Sequence, residues 1–310
     1  MTPSKTLRGI FLALLAGTCW GFSGTAGQFL FTTRQVDSGW LTVVRMLVSG
    51  LILLVWTGLR HPRSLAAPWK DRRQALRLVV FSLAGLMAVQ YAYMAAIFYS
   101  NAGTATAIQY LGDAFILLYT CVSARRLPRL PEAAGLVLAL AGVFLLATHG
   151  RLDAMVLSVQ GLFWGLCAAV ALMLYTLLPA PLIRVHGSRP ITGFGMLIGG
   201  AALALAVRPW EKAPVLDGAV LAGMAAIILI GTVLAFTAYL KSVADLGGVK
   251  AGLLASVETI AAPLFAALWL GTPFEAADFA GFFCILAMVV LLSLPGLREE
   301  KKARAAGSQR

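Results

Sequence analysis

The chain is poor in the residues that most enzymes use for chemistry near neutral pH. It has three histidines, four cysteines and 13 carboxylates in 310 residues. His61, His149 and His186 all fall in short polar connections and give a catalytic or metal cluster nothing to build on. Cys19, Cys121, Cys167 and Cys284 sit inside apolar stretches without metal-like spacing, as small buried hydrophobes do, and no disulfide framework is indicated. No G-x-x-x-x-G-K-[ST] sequence is present, so ATP hydrolysis by this chain is not expected. Accordingly no catalytic residue, metal or cofactor is assigned.

Charge is scarce too. Lys, Arg, Asp and Glu make up 12% of the residues, against about 25% in soluble domains. Hydrophobic residues reach 60%, and the mean hydropathy is +0.85. That balance excludes a soluble core and makes the chain an integral membrane protein. The apolar run from Ile10 continues past Trp20 toward Phe31 without an A-x-A cleavage site, and so reads as a retained first span rather than a signal peptide.

Apolar runs long enough to cross a bilayer occur at about 9–31, 39–59, 77–98, 102–123, 132–149, 159–182, 190–207, 217–240, 248–270 and 278–295. The expected fold class is all-α, with ten transmembrane helices. With the N-terminus inside, 20 of the 25 Lys and Arg residues fall in inner segments, and Arg34, Arg151, Arg208 and Lys212 in outer ones; Arg45 lies within a span. The positive-inside rule then puts both termini in the cytoplasm. The net charge of +12 is explained by this bias and calls for no nucleic-acid partner. "REEKKARAAGSQR", residues 298–310, reads as a solvated basic cytoplasmic tail.

The second half echoes the first. "GIFLALLAGTCWGFSG" from Gly9 resembles "GLFWGLCAAVALMLYT" from Gly161, and "MLVSGLILLV" from Met46 resembles "MLIGGAALAL" from Met196. A spacing of about 146 pairs Tyr93 with Tyr239, Ala105 with Ala251 and Gly135 with Gly281. Five spans per half is an odd number, so the second copy must enter from the opposite side: residues 1–150 and 151–297 form two inverted repeats around a central cavity. Gly-x-x-x-Gly spacings at Gly17/Gly21, Gly161/Gly165, Gly195/Gly199 and Gly248/Gly252 are expected to allow close helix approach.

With "LLAGTCWGFSGTAGQFLF", "VVRMLVSG", "SNAGTATAIQYL" and "LLASVETIAAPLFAALWLG" in this order over residues 8–295, the chain resembles the EamA-type members of the drug/metabolite transporter superfamily. The resemblance implies ten helices around a central cavity and transport of small metabolites across the inner membrane. It does not identify the solute. Where family members often carry a proline in the fourth span, this chain has Asp113; where an acidic residue is often followed by proline in the ninth, Glu258 is followed by Thr259.

Asp113, in "QYLGDAFILLY", has no basic residue within ten positions, and Glu258 lies about as deep in the ninth span. A charged carboxylate at a span's centre costs about 2.5–3.5 kcal/mol on insertion scales, which makes both functional candidates. Either can bind a cationic group or relay a proton. Arg45 is the deep basic residue, a candidate for a structural ion pair with one of them or for binding an anion. Gln109 and Tyr110 share the face of Asp113, and Trp20, Tyr93, Trp164 and Tyr175 complete the candidate solute-binding set, whose π-faces would favour an ammonium group. Small residues beside Glu258 (Ala255, Ala261, Ala262) leave room there. "GFSGTAG" in the first span offers a place for a helix break. Trp40, Tyr99 and Trp269 read as interfacial anchors.

The expected function is secondary transport of a small amine-bearing metabolite, an amino acid or an organic cation, by alternating access, with proton coupling and exchange both open. The alternative is an anionic or neutral metabolite using Arg45. A membrane enzyme lacks a constellation to work with, and a non-transporting receptor fits poorly with an inverted repeat. The expected partners are the solute and the lipid bilayer; monomer and homodimer are both consistent with the sequence.

Overall fold

The computed structural model describes residues 3–151, 153 and 155–307, with side chains for 5–151, 153 and 155–294. Among the described residues all regular structure is helical, and ten helices are long and apolar enough to cross a membrane: Lys5–Arg34, Ser38–Arg60, Arg72–Tyr99, Ala102–Ser123, Leu130–Thr148, Val159–Leu177, Ser188–Val207, Gly218–Leu246, Gly248–Leu270 and Ala276–Leu294. They are the first to tenth spans below.

Two boundaries differ from expectation. The sixth span stops at Leu177, ahead of a separate short helix at Ala180–His186, and the eighth continues to Leu246. The last helix runs on to Gly307, so the tail from 298 continues it; residues 308–310 lie outside the described residues.

Short polar side chains start five of the spans by accepting a bond from an otherwise orphaned first-turn N–H. Asp37 takes the Trp40 N–H at 2.9 Å, Asp71 that of Arg73, Asn101 that of Thr104, Ser158 that of Gly161 and Asp217 that of Val220. Charges close the helix ends away from the apolar middle. Arg8 donates two bonds to Asp245, at 2.8 and 2.7 Å, tying the start of the first span to the end of the eighth. Arg126 grips Glu132 across the connection between the fourth and fifth, which holds its guanidinium above the usual range. Arg34 meets Asp217, and Lys212 meets Asp37, at the opposite face.

Packing follows the inverted repeat. The first span lies on the eighth and ninth, and its counterpart, the sixth, lies on the third and fourth; the second pairs with the seventh, and the fifth with the tenth. Small residues set these distances. A Cβ on Gly17 would lie 2.2 Å from the Ala255 carbonyl, and one on Gly21 2.8 Å from the Ala262 nitrogen. Gly165 presses likewise on Ile108, and Gly195 and Gly199 on the third span. Gly248 and Gly252 do not behave this way: Gly248 has open space, and Gly252 only the Tyr239 hydroxyl at 3.6 Å.

Irregularities repeat as well. π-helical turns occupy Phe81–Met87 in the third span and Ala226–Leu234 in the eighth, about 146 residues apart. The fourth span breaks at Tyr110 and the ninth at Ser256–Val257, again at that spacing. The first span, where "GFSGTAG" offered a place for a break, is one helix from Pro3 to Arg34.

Candidate solute site at two broken helices

At each break the backbone bond shortens its reach. Asp113 N–H donates to the Tyr110 carbonyl and Thr259 N–H to that of Ser256, three residues back instead of four. The tightened turn re-aims the second half of each span. It also makes Asp113 and Glu258 first-turn residues of new helix segments, Leu111–Ser123 and Glu258–Leu270. The positive end of each helix dipole therefore faces a carboxylate, near the middle of its span.

The two carboxylates have different surroundings. Glu258 is buried, and its Oε2 accepts a bond from the Tyr110 hydroxyl at 3.2 Å, joining the two broken spans. Asp113 is half-buried, and its side chain has no hydrogen-bond partner among the described residues. The small residues beside Glu258 do not leave a void for a solute: Ala255, Ala261 and Ala262 receive Gly17 and Gly21 of the first span. Space expected for a ligand is occupied by a helix.

Arg45 is 5% exposed. It forms no ion pair with either carboxylate; its Nε donates to Thr232 Oγ1 at 3.4 Å, in the π-helical part of the eighth span. Its Nη1 is buried without a partner, as are Ser49 Oγ on the same helix, Ser23 Oγ and Gln90 Nε2. Glu258 and Tyr93 lie within electrostatic range of Arg45 all the same. Acid and base thus lie near one another without forming an ion pair.

The aromatic candidates separate into groups. Trp20 packs on Phe236 and Tyr239, with centroids 5.4 and 5.3 Å away. Tyr239 lies in electrostatic range of Asp113, and Tyr110, bonded to Glu258, in range of Asp113 and Tyr239, so these tyrosines share the region of the two acids. Gln109 is half-buried beside them in sequence, without a hydrogen bond from its side chain. Tyr175 stacks loosely on Phe81 and senses Tyr239. Tyr93 is buried, with its hydroxyl 2.8 Å from that of Thr106, and packs in the core. Trp164 packs edge-on against Tyr91, which lies in electrostatic range of Asp37 and Lys212 at the outer helix ends. Trp40, expected at an interface, is buried in the same core as Tyr93, while Tyr99 and Trp269 are exposed.

Tyr239 is the residue that the sequence reading did not select. Its signal was available as the repeat mate of Tyr93, 146 positions away.

Known proteins agree with this architecture. The model of the EamA-like transporter family matches twice, over residues 7–148 and 159–294. The uncharacterized inner membrane transporter YicL of Salmonella typhimurium (strain LT2) is 34% identical over 302 residues, covering 97% of this chain and 99% of its own. A protein of known crystal structure shares the fold at a TM-score of 0.63 and 18% identity, with 97% of this chain and 100% of that one covered. The chain belongs to the EamA-like transporter family.

Proposed function

We propose that this EamA-family transporter moves a small amine-bearing metabolite by alternating access, and that the solute is an amino acid. The observation that carries the reading is Arg45: a buried guanidinium with a free Nη1, electrostatically coupled to a buried carboxylate that it does not touch. Leaving such a donor unpaired costs about 1–3 kcal/mol or more. A zwitterion offers a carboxylate to Arg45 and an ammonium to Glu258, and so satisfies both. A quaternary amine would leave Arg45 unpaired, and a simple anion would face two acids.

The relative's description as an inner membrane transporter supports the same location here, and the charge bias supports cytoplasmic termini. Tyr110, Trp20, Tyr239 and Gln109 form the wall around the ammonium, Tyr93 and Tyr175 pack behind it, and Trp164 lies toward the outer helix ends, outside that wall. Asp113, lacking a hydrogen-bond partner, is the group that carries a coupling proton, and Glu258 is the one that holds the solute.

The test is thermal stability and liposome counterflow of the purified protein with amino acids, choline-like amines, polyamines and anionic metabolites. An amino acid should stabilise the protein and exchange, and the effect should vanish in Glu258→Gln. Stabilisation by anions alone would overturn the reading and leave Arg45 as the centre of the site.

A further inference from the structure

On the face that carries the N-terminus, a pocket of about 680 Å³ opens between the end of the second span, the start of the seventh and the last turns of the eighth. Arg60, Arg189 and Lys241 line it, together with His61, and no carboxylate is among its lining residues. Trp56 orders two of these cations: the guanidinium carbons of Arg60 and Arg189 lie 5.8 and 5.1 Å from its ring centroid. None of the three cations is in an ion pair among the described residues. The carboxylate one turn beyond Lys241, Asp245, is held by two bonds from Arg8.

A second, independent feature points into the same place. The 20-residue helix Ser188–Val207 begins at this pocket behind Gly187, whose φ is +80°, and no side chain caps the first-turn N–H groups it has, those of Ser188, Arg189 and Ile191, Pro190 having none. Uncapped N–H groups with the helix dipole behind them favour a tetrahedral oxyanion. Two guanidinium forks add bidentate geometry and Lys241 adds a point charge. Leu240, Ala244 and Trp56 complete an apolar wall suited to the carbon part of an ester.

We propose that this pocket binds a phosphate ester. The shared chemistry is an organic phosphate with an apolar or glycerol-like substituent, supplied either by the headgroup of an anionic phospholipid or by a soluble phosphate monoester. The site is separate from the broken-helix centre and stands whatever the transported solute is.

Native mass spectrometry and thermal stability of the full-length protein test it, with phosphatidylglycerol, phosphatidylcholine and glycerol 3-phosphate as probes. The wild-type protein should retain phosphatidylglycerol or bind glycerol 3-phosphate. The affinity should fall about tenfold or more in Arg189→Gln/Lys241→Gln. It should be unchanged in Lys70→Gln/Arg72→Gln, two exposed cations outside the pocket on the same face. Selective retention of phosphatidylglycerol identifies a lipid site, and binding of glycerol 3-phosphate a soluble one. If the double variant does not fold, Lys241→Gln alone, at an exposed position, should still weaken binding about threefold or more. Equal loss in the pocket and control variants, or no phosphate binding by the wild-type protein, overturns the proposal.

Discussion

The fourth and ninth spans are built alike and used differently. Both break about 146 residues apart and both begin a second helix segment with a carboxylate in its first turn. Glu258 is nonetheless buried and bonded to Tyr110, whereas Asp113 is half-buried and unbonded. The cause is one residue of register: the repeat mate of Asp113 is Thr259, whose hydroxyl turns back onto the Ser256 carbonyl. An inverted repeat supplies two equivalent platforms. A single-residue offset is enough to give one an anchored acid and the other a free one.

The sharpest test of that difference is to neutralise each acid. Glu258→Gln should lower solute exchange by about 10- to 100-fold, the loss expected when a charge-assisted contact of about 1.5–3 kcal/mol is removed. Asp113→Asn should keep solute binding within about threefold while abolishing uptake driven by a pH gradient. Counterflow, which needs no gradient, separates the two effects. Equal loss in both variants would mean that the two platforms share one role.

The same comparison extends to packing. Gly17→Ala forces a methyl to within 2.2 Å of the Ala255 carbonyl, just ahead of the ninth-span break, and should cost about 1–3 kcal/mol in stability. Gly252→Ala, one turn before that break with only a hydroxyl at 3.6 Å, should be neutral or slightly stabilising. Thermal melts of the two proteins check this, and a Gly17→Ala protein as stable as wild type would show that the first span does not clamp the ninth.

Arg45 gives a third contrast, between solutes rather than halves. Arg45→Gln should weaken binding of an amino acid about tenfold and leave binding of an amine without a carboxylate unchanged. Competition with a pair such as an amino acid and its decarboxylated amine reads this directly.

Hydropathy made the ten spans legible, because bilayer length acts on whole stretches of sequence. The helix breaks were not legible. Tyr110 and Ser256–Val257 carry neither glycine nor proline, and their turns tighten through backbone bonding that no residue type announces. Pro263, which does stand in the ninth span, sits inside a continuing helix segment. Small residues misled for a related reason: Ala261 and Ala262 record that something approaches closely, and the sequence does not say whether it is a solute or another helix. The acids and Arg45 stood out because charge inside an apolar run is rare. Their division into anchored, free and unpaired groups needed three dimensions.

The smallest effect tests the tyrosine pair, where the repeat again diverges. Tyr93 and Tyr239 occupy equivalent places, and each senses the acid of the other half: Tyr93 that of Glu258, Tyr239 that of Asp113. Tyr93 spends its hydroxyl on Thr106, whereas Tyr239 makes no such bond among the described residues. Tyr93→Phe should therefore cost about 0.5–1.5 kcal/mol of stability with little change in flux. Tyr239→Phe should leave the melting temperature unchanged and slow exchange about two- to threefold, since the hydroxyl is free to meet a solute. If the two substitutions change stability and flux alike, the divergence of the two halves ends at Asp113 and Glu258. If they separate as expected, it extends to the aromatic residues around those acids, and the asymmetry belongs to the whole site rather than to one slipped residue.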